Sequence, residues 1–139
     1  MEAIGKRLRR ALPQLLLVWA ALGFTLLLAE LLLTNHTGGE RFLAPAASLA
    51  GLFLSLWGLS RTSPKLVVAL GLLLVAGVGL VGMAEHWEGD EGGEVYEQEA
   101  EASPPPLAPL SLSGVAALAL MGLFAKEENQ RDAHTLAGG

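Results

Sequence analysis

Leu66–Ala84, LVVALGLLLVAGVGLVGMA, contains no charge, no amide and no hydroxyl. A hydrocarbon layer about 30 Å thick is crossed by about 20 residues of α-helix. Inside that layer every main-chain N–H and C=O must find a partner within the protein, which leaves helices and closed barrels. A barrel strand alternates in polarity, and runs such as Leu72–Val75 do not alternate. The stretch therefore predicts a membrane-spanning helix.

Working outward, three further stretches read the same way. Residues 12–34 are interrupted by Pro13, Gln14 and Glu30, with hydroxyls at mid-span Thr25 and terminal Thr34, while 42–60 and 107–125 carry no charge. With 65–84 they make an all-α, four-helix transmembrane bundle. The rest of the chain agrees. Of 139 residues 52% are hydrophobic and only 17% are charged, and mean hydropathy is +0.47. Soluble domains carry about 25% charged residues. Nothing polar remains to cover four apolar helices in water. The length suits one domain.

There is no cysteine. That excludes disulfides, thiolate metal sites, c-type haem attachment and cysteine nucleophiles.

The net charge of −5 hides a segregation. Lys6, Arg7, Arg9 and Arg10 crowd the start, carboxylates crowd Glu85–Glu101, and no Lys or Arg occurs from Leu66 to Ala125. If the first segment starts inside, Lys6, Arg7, Arg9, Arg10, Arg61, Lys65, Lys126 and Arg131 lie on the cytoplasmic side, against Arg41 alone outside. The positive-inside rule then predicts an N-in/C-in protein of the bacterial inner membrane. The KRLRR run before residues 12–34 also resembles the start of a signal peptide, but the apolar run is too long and lacks a small-residue cleavage site. A retained helix is expected.

The parts outside the spans differ in character. Residues 1–11 form a basic amphipathic segment with Ile4, Leu8 and Leu12 at i+4 spacing. It is either a helix lying among anionic headgroups or a plain topogenic cluster. Pro13 would mark its bend, or else the first turn of the spanning helix. Residues 85–106 form an acidic extracytoplasmic loop, loosened by Gly89, Gly92 and Gly93 and stiffened at Pro104-Pro105-Pro106. Its like charges argue for a solvated segment, and Gly89–Glu94 does not match an EF-hand spacing. Residues 126–139 form a polar cytoplasmic tail, expected to fray.

The residues that could carry chemistry are few. Glu30 is a carboxylate near the outer end of its span. It reads either as a proton or cation relay or as an interface residue reaching to headgroups. His36 and His86 fall on the same outer side, with Glu85 and Glu40 nearby. Glu30, His36, His86 and Glu85 could hold a transition metal or sense pH, but no metal-spaced histidine pair occurs. Otherwise they are interfacial polar residues. Small residues recur at packing spacing: Ala47, Gly51 and Ser55; Ala76, Gly79 and Gly82; Ser113 and Ala117. In lipid such faces let helices approach closely, so a tight bundle is expected.

Leu80-Val81-Gly82-Met83-Ala84-Glu85-His86-Trp87, the acid run after it and Pro105-Pro106-Leu107-Ala108-Pro109-Leu110 together resemble a group of small uncharacterised bacterial membrane proteins. In these a histidine closes one helix and a proline-rich entry opens the next. The likeness covers Leu80–Phe124 and implies a bacterial inner-membrane setting. The four-helix small multidrug transporters share the length class and an acidic residue in the first helix. Here Glu30 lies too near the outer end and the third loop is too long.

The function expected is a non-enzymatic structural or accessory subunit that packs against other membrane helices in the lipid bilayer. No cofactor and no nucleic-acid partner is expected. The alternative is a cation- or proton-responsive membrane protein or small transporter using Glu30, His36, His86 and the acidic loop. A haem- or quinone-binding electron carrier is a third, weaker reading. A transporter usually places several polar groups near the midplane, and here only Thr25, Ser48, Ser55 and Ser113 are available.

Overall fold

The computed structural model describes residues 2–33, 42–60, 62–89 and 107–137. They form four helices: α1 Glu2–Leu33, α2 Leu43–Leu59, α3 Lys65–Gly89 and α4 Leu107–Ala137. Three stretches are long and apolar enough to cross a membrane: Arg7–Leu33, Lys65–Ala84 and Leu110–Asn129. The shorter α2 has 17 residues.

The direction of packing follows from close approaches. On α1 and α2, Phe24 meets Gly51 and Leu17 meets Gly58. On α2 and α3, Leu54 meets Gly71 and Gly58 meets Val68. On α1 and α4, Pro13 meets Gly122 and Gly23 meets Val115. In each pair the numbers run in opposite senses, so neighbours are antiparallel. Each helix packs on its neighbours in the chain, and α4 closes the ring on α1. The start of α1 and the end of α4 therefore lie at one end of the bundle.

The buried positions explain the ring. They fall at Pro13, Leu17, Ala20 and Phe24 on α1, at Val68, Leu72, Val75 and Gly79 on α3, and at Leu112, Ala116, Ala119 and Leu123 on α4. Alternating steps of four and three mark the seam of left-handed helix packing. The largest fully buried side chains, Phe24, Leu17, Leu72 and Val68, come from α1 and α3. The inner face of α2 is made of Ala47, Ser48, Gly51, Ser55 and Gly58, and α4 adds Ala116 and Ala119. Small residues let α2 and α4 approach across the centre, while the backbones of α1 and α3 stand apart at opposite corners.

Packing corrects one expectation on α4. Ala117 is exposed, and the helix turns Ala116 and Ala119 inward. Ser113 faces α3. The stripe on α2 does pack, with Ala47, Gly51 and Ser55 all buried.

The ends of α1 and α4 also differ from the sequence reading. α1 is helical from Glu2 to Leu33 with Pro13 inside it, so Pro13 does not stand in the first turn of the spanning helix. α4 continues helically to Ala137, well into the segment expected to fray. Ala, Lys, Glu, Gln and Arg dominate Ala125–Arg131 and are strong helix formers. Glu127 and Arg131 pair at i,i+4 spacing in the favourable order.

The outer surface is as apolar as the core. Leu26, Leu33, Leu66 and Leu74 are each more than 70% exposed. In each of the three long spans less than a third of the apolar window is buried inside the protein. This is a helical membrane protein: burial among its own helices leaves most of its leucine surface for lipid to cover.

Candidate functional site

The polar groups along the helices are few; Ser48, Ser55 and Ser113 lie in the bundle, and Thr25 is on the exposed face of α1. Thr25 Oγ1 donates to Ala21 O at 2.9 Å, Ser48 Oγ to Ala44 O at 2.9 Å and Ser55 Oγ to Gly51 O at 2.8 Å. These are back-bonds to the preceding turn, a usual resting place for hydroxyls in apolar helices. Ser113 differs. Its Oγ donates at 2.8 Å to Ala76 O, across the α3–α4 interface. Among the described residues no buried side-chain nitrogen or oxygen lacks a partner.

Among the described residues the densest polar cluster lies at the end of the bundle shared by the start of α1 and the end of α4. Lys126 Nζ donates to Gly58 O at 2.8 Å, Leu59 O at 3.1 Å and Ser60 O at 2.7 Å. The last carbonyls of a helix have no intrahelical donor, and the negative end of the helix dipole favours a cation there. Lys126 of α4 thus caps α2. The turn from α2 to α3 is held by its own hydroxyls. Ser60 Oγ and Thr62 Oγ1 lie 3.1 Å apart, and Ser63 Oγ donates to Ser60 O at 3.2 Å.

One turn further along α4, Asn129 Nδ2 donates to Arg9 O at 2.9 Å. In a regular helix that carbonyl would accept from residue 13. Residue 13 is proline and has no N–H. The amide from α4 supplies the missing donor, which explains why α1 runs on through Pro13. Close approach is possible because Gly122 faces this point. A Cβ there would lie 3.0 Å from Pro13 O and 3.0 Å from Leu16 Cβ.

The residues singled out in the sequence fall elsewhere. Glu30 is exposed on α1, within a turn of its end at Leu33. Glu85 and His86 belong to the last turns of α3, and their side chains lie outside the described residues, as does all of His36. Among the described residues no group of three His, Asp or Glu side chains is placed to hold a metal. Lys126 and Asn129 were missed as structural residues. Their role depends on helix register, since their partners lie 66–68 and 120 residues away in sequence.

The class that fold and polar contacts define is a small helical membrane bundle with a polar clasp at one end. Set beside protein-family models, curated proteins and solved structures, the chain matches none of them.

Proposed function

We propose that this chain is a four-span, non-enzymatic accessory protein of the bacterial inner membrane, with both termini cytoplasmic, that packs against helices of other membrane subunits. The observation that carries the reading is the contrast between inside and outside. Inside, Leu17, Phe24, Val68 and Leu72 are fully buried against small residues, and the hydroxyls of Ser48, Ser55 and Ser113 are engaged by carbonyls. A passage for a solute would need polar groups free to exchange partners.

Outside, α1 presents Leu8, Leu12, Leu15, Trp19, Leu22 and Leu26, all exposed at alternating steps of four and three. That is the spacing of a second packing seam. Lipid tails are as apolar as leucine, so shape rather than hydrophobicity decides whether such a seam takes a helix. Trp19 gives it a large, rigid knob.

A crossing by α2 is supported by register. Gly58 lies beside Leu17 and Gly51 beside Phe24, so α2 runs alongside the apolar part of α1. Its 17 residues extend about 26 Å, close to the thickness of a hydrocarbon layer. The basic residues at the end shared by α1 and α4 support cytoplasmic termini.

Photo-crosslinking in the native membrane tests the reading. A crosslinker at Trp19 should give a discrete adduct with another membrane protein, and one at Leu74, on the exposed face of α3, should not. Adducts at neither site, with a monomer in mild detergent, would contradict it.

A further inference from the structure

We infer that Arg7 and Arg10 of α1 form a docking site for the phosphate headgroup of an anionic phospholipid in the cytoplasmic leaflet, an inference that rests on the membrane reading above.

The depth of these residues comes from the register of the bundle. Leu17 packs beside Gly58, and α2 ends at Leu59. At 1.5 Å per residue Arg10 and Arg7 stand about 10–15 Å beyond Leu17, along an unbroken helix. That interval reaches from the edge of the hydrocarbon layer into and just past the headgroups. The sequence alone allowed a helix lying flat at this surface. The continuous α1, tied to α4 by the bond from Asn129 to Arg9, instead carries the arginines along the bundle beyond the end of α2.

The chemistry of the segment suits a lipid. Arg7, Arg9 and Arg10 are exposed, and among the described residues no ion pair joins them to a carboxylate; the pair found there is Glu127 with Arg131. Arg7 and Arg10 are at i,i+3, so their Cβ atoms lie about 5–6 Å apart. Guanidinium groups at that spacing can grip one phosphate, each through two N–H donors. Leu8 is 59% exposed and Leu12 46% exposed on the same stretch. Apolar side chains there favour the boundary between headgroups and acyl chains over open water. An acidic soluble protein would match the arginines but would not explain the leucines between the charges and the membrane.

The test uses the full chain, reconstituted in vesicles of phosphatidylcholine alone or mixed equally with phosphatidylglycerol. Brominated forms of each lipid quench the tryptophans and so report relative lipid binding. The native chain should select phosphatidylglycerol. Arg7→Gln with Arg10→Gln should reduce that selectivity by about fivefold per arginine removed. Arg7→Lys with Arg10→Lys should keep most of it. Arg131→Gln removes the same type of charge from α4 and should leave selectivity unchanged. The assignment is overturned if the native chain shows no selectivity, if Arg131→Gln matters as much, or if the double glutamine variant selects as before. In that last case the arginines would be left to an acidic protein. A chain that enters neither kind of vesicle would overturn the membrane reading itself, a result distinct from insertion without selectivity.

Discussion

The side-chain amide of Asn129 donates at 2.9 Å to the carbonyl of Arg9, the acceptor that Pro13 leaves without a donor inside its own helix. One residue thus repairs the defect another creates, across the α1–α4 interface. The bond is exposed, so water can replace part of it, and Asn129→Ala should cost about 0.5–1 kcal/mol. Pro13→Ala restores the intrahelical donor. In that background Asn129→Ala should cost nothing measurable. A double-mutant cycle on unfolding in mixed micelles reads the coupling, and additive effects would contradict the pairing.

Lys126 should matter more than its place just past an apolar run suggests. It donates to Gly58, Leu59 and Ser60 carbonyls at the end of α2. Lys126→Met removes both the donors and the charge at the helix end. The expected loss is about 1–2 kcal/mol of bundle stability, with Arg at this position recovering part of it. Hydrogen exchange should show the last turn of α2 opening first in the Met variant.

Glycines should separate into two groups. A Cβ at Gly51 would lie 2.4 Å from the ring of Phe24, and Phe24 is fully buried. Gly51→Ala should therefore destabilise by about 1–3 kcal/mol, and Phe24→Leu should relieve much of that loss. Gly77 and Gly114 have nothing within 4 Å of a built Cβ. Alanine at either should be neutral or slightly stabilising, because it orders the helix without a clash. Thermal aggregation in detergent ranks all three.

The four helices were legible because hydropathy registers the solvent around a span. Residues 65–84 lie within α3 and 107–125 within α4. Hydropathy is silent on helix outside the lipid. The Glu2–Leu12 part of α1 and the Glu127–Ala137 part of α4 are helical for other reasons: propensity, an i,i+4 ion pair and the Asn129 bond. Facing was legible on α2, where one side is all small residues. It was not legible on α4, where alanines on several faces made Ala117 look as inward as Ala116. The clasp of Lys126 and Asn129 was hidden because it joins residues far apart in the chain. Glu30 stood out by its charge alone, and charge does not tell which way a helix turns a side chain.

The serines offer a contrast between bonds within a helix and bonds between helices. Ser113 Oγ reaches Ala76 O on another helix, whereas Ser48 Oγ reaches Ala44 O on its own. Ala44 O already has its place in the ladder of α2. Ser113→Ala should lower stability by about 0.6 kcal/mol, the average for interhelical bonds in membranes. Ser48→Ala should cost less. Steric-trap or denaturant unfolding in bicelles would compare them.

The account depends most on four crossings, with the α2–α3 turn inside and residues 85–106 outside. The chain lacks cysteine, so single cysteines can be placed without background. Membrane-impermeant maleimide applied to intact spheroplasts should label Glu94→Cys at once and Thr62→Cys only after permeabilisation. The reverse pattern would put the α2–α3 turn outside, by an inverted bundle or by an α2 that does not cross, and either contradicts the arrangement proposed.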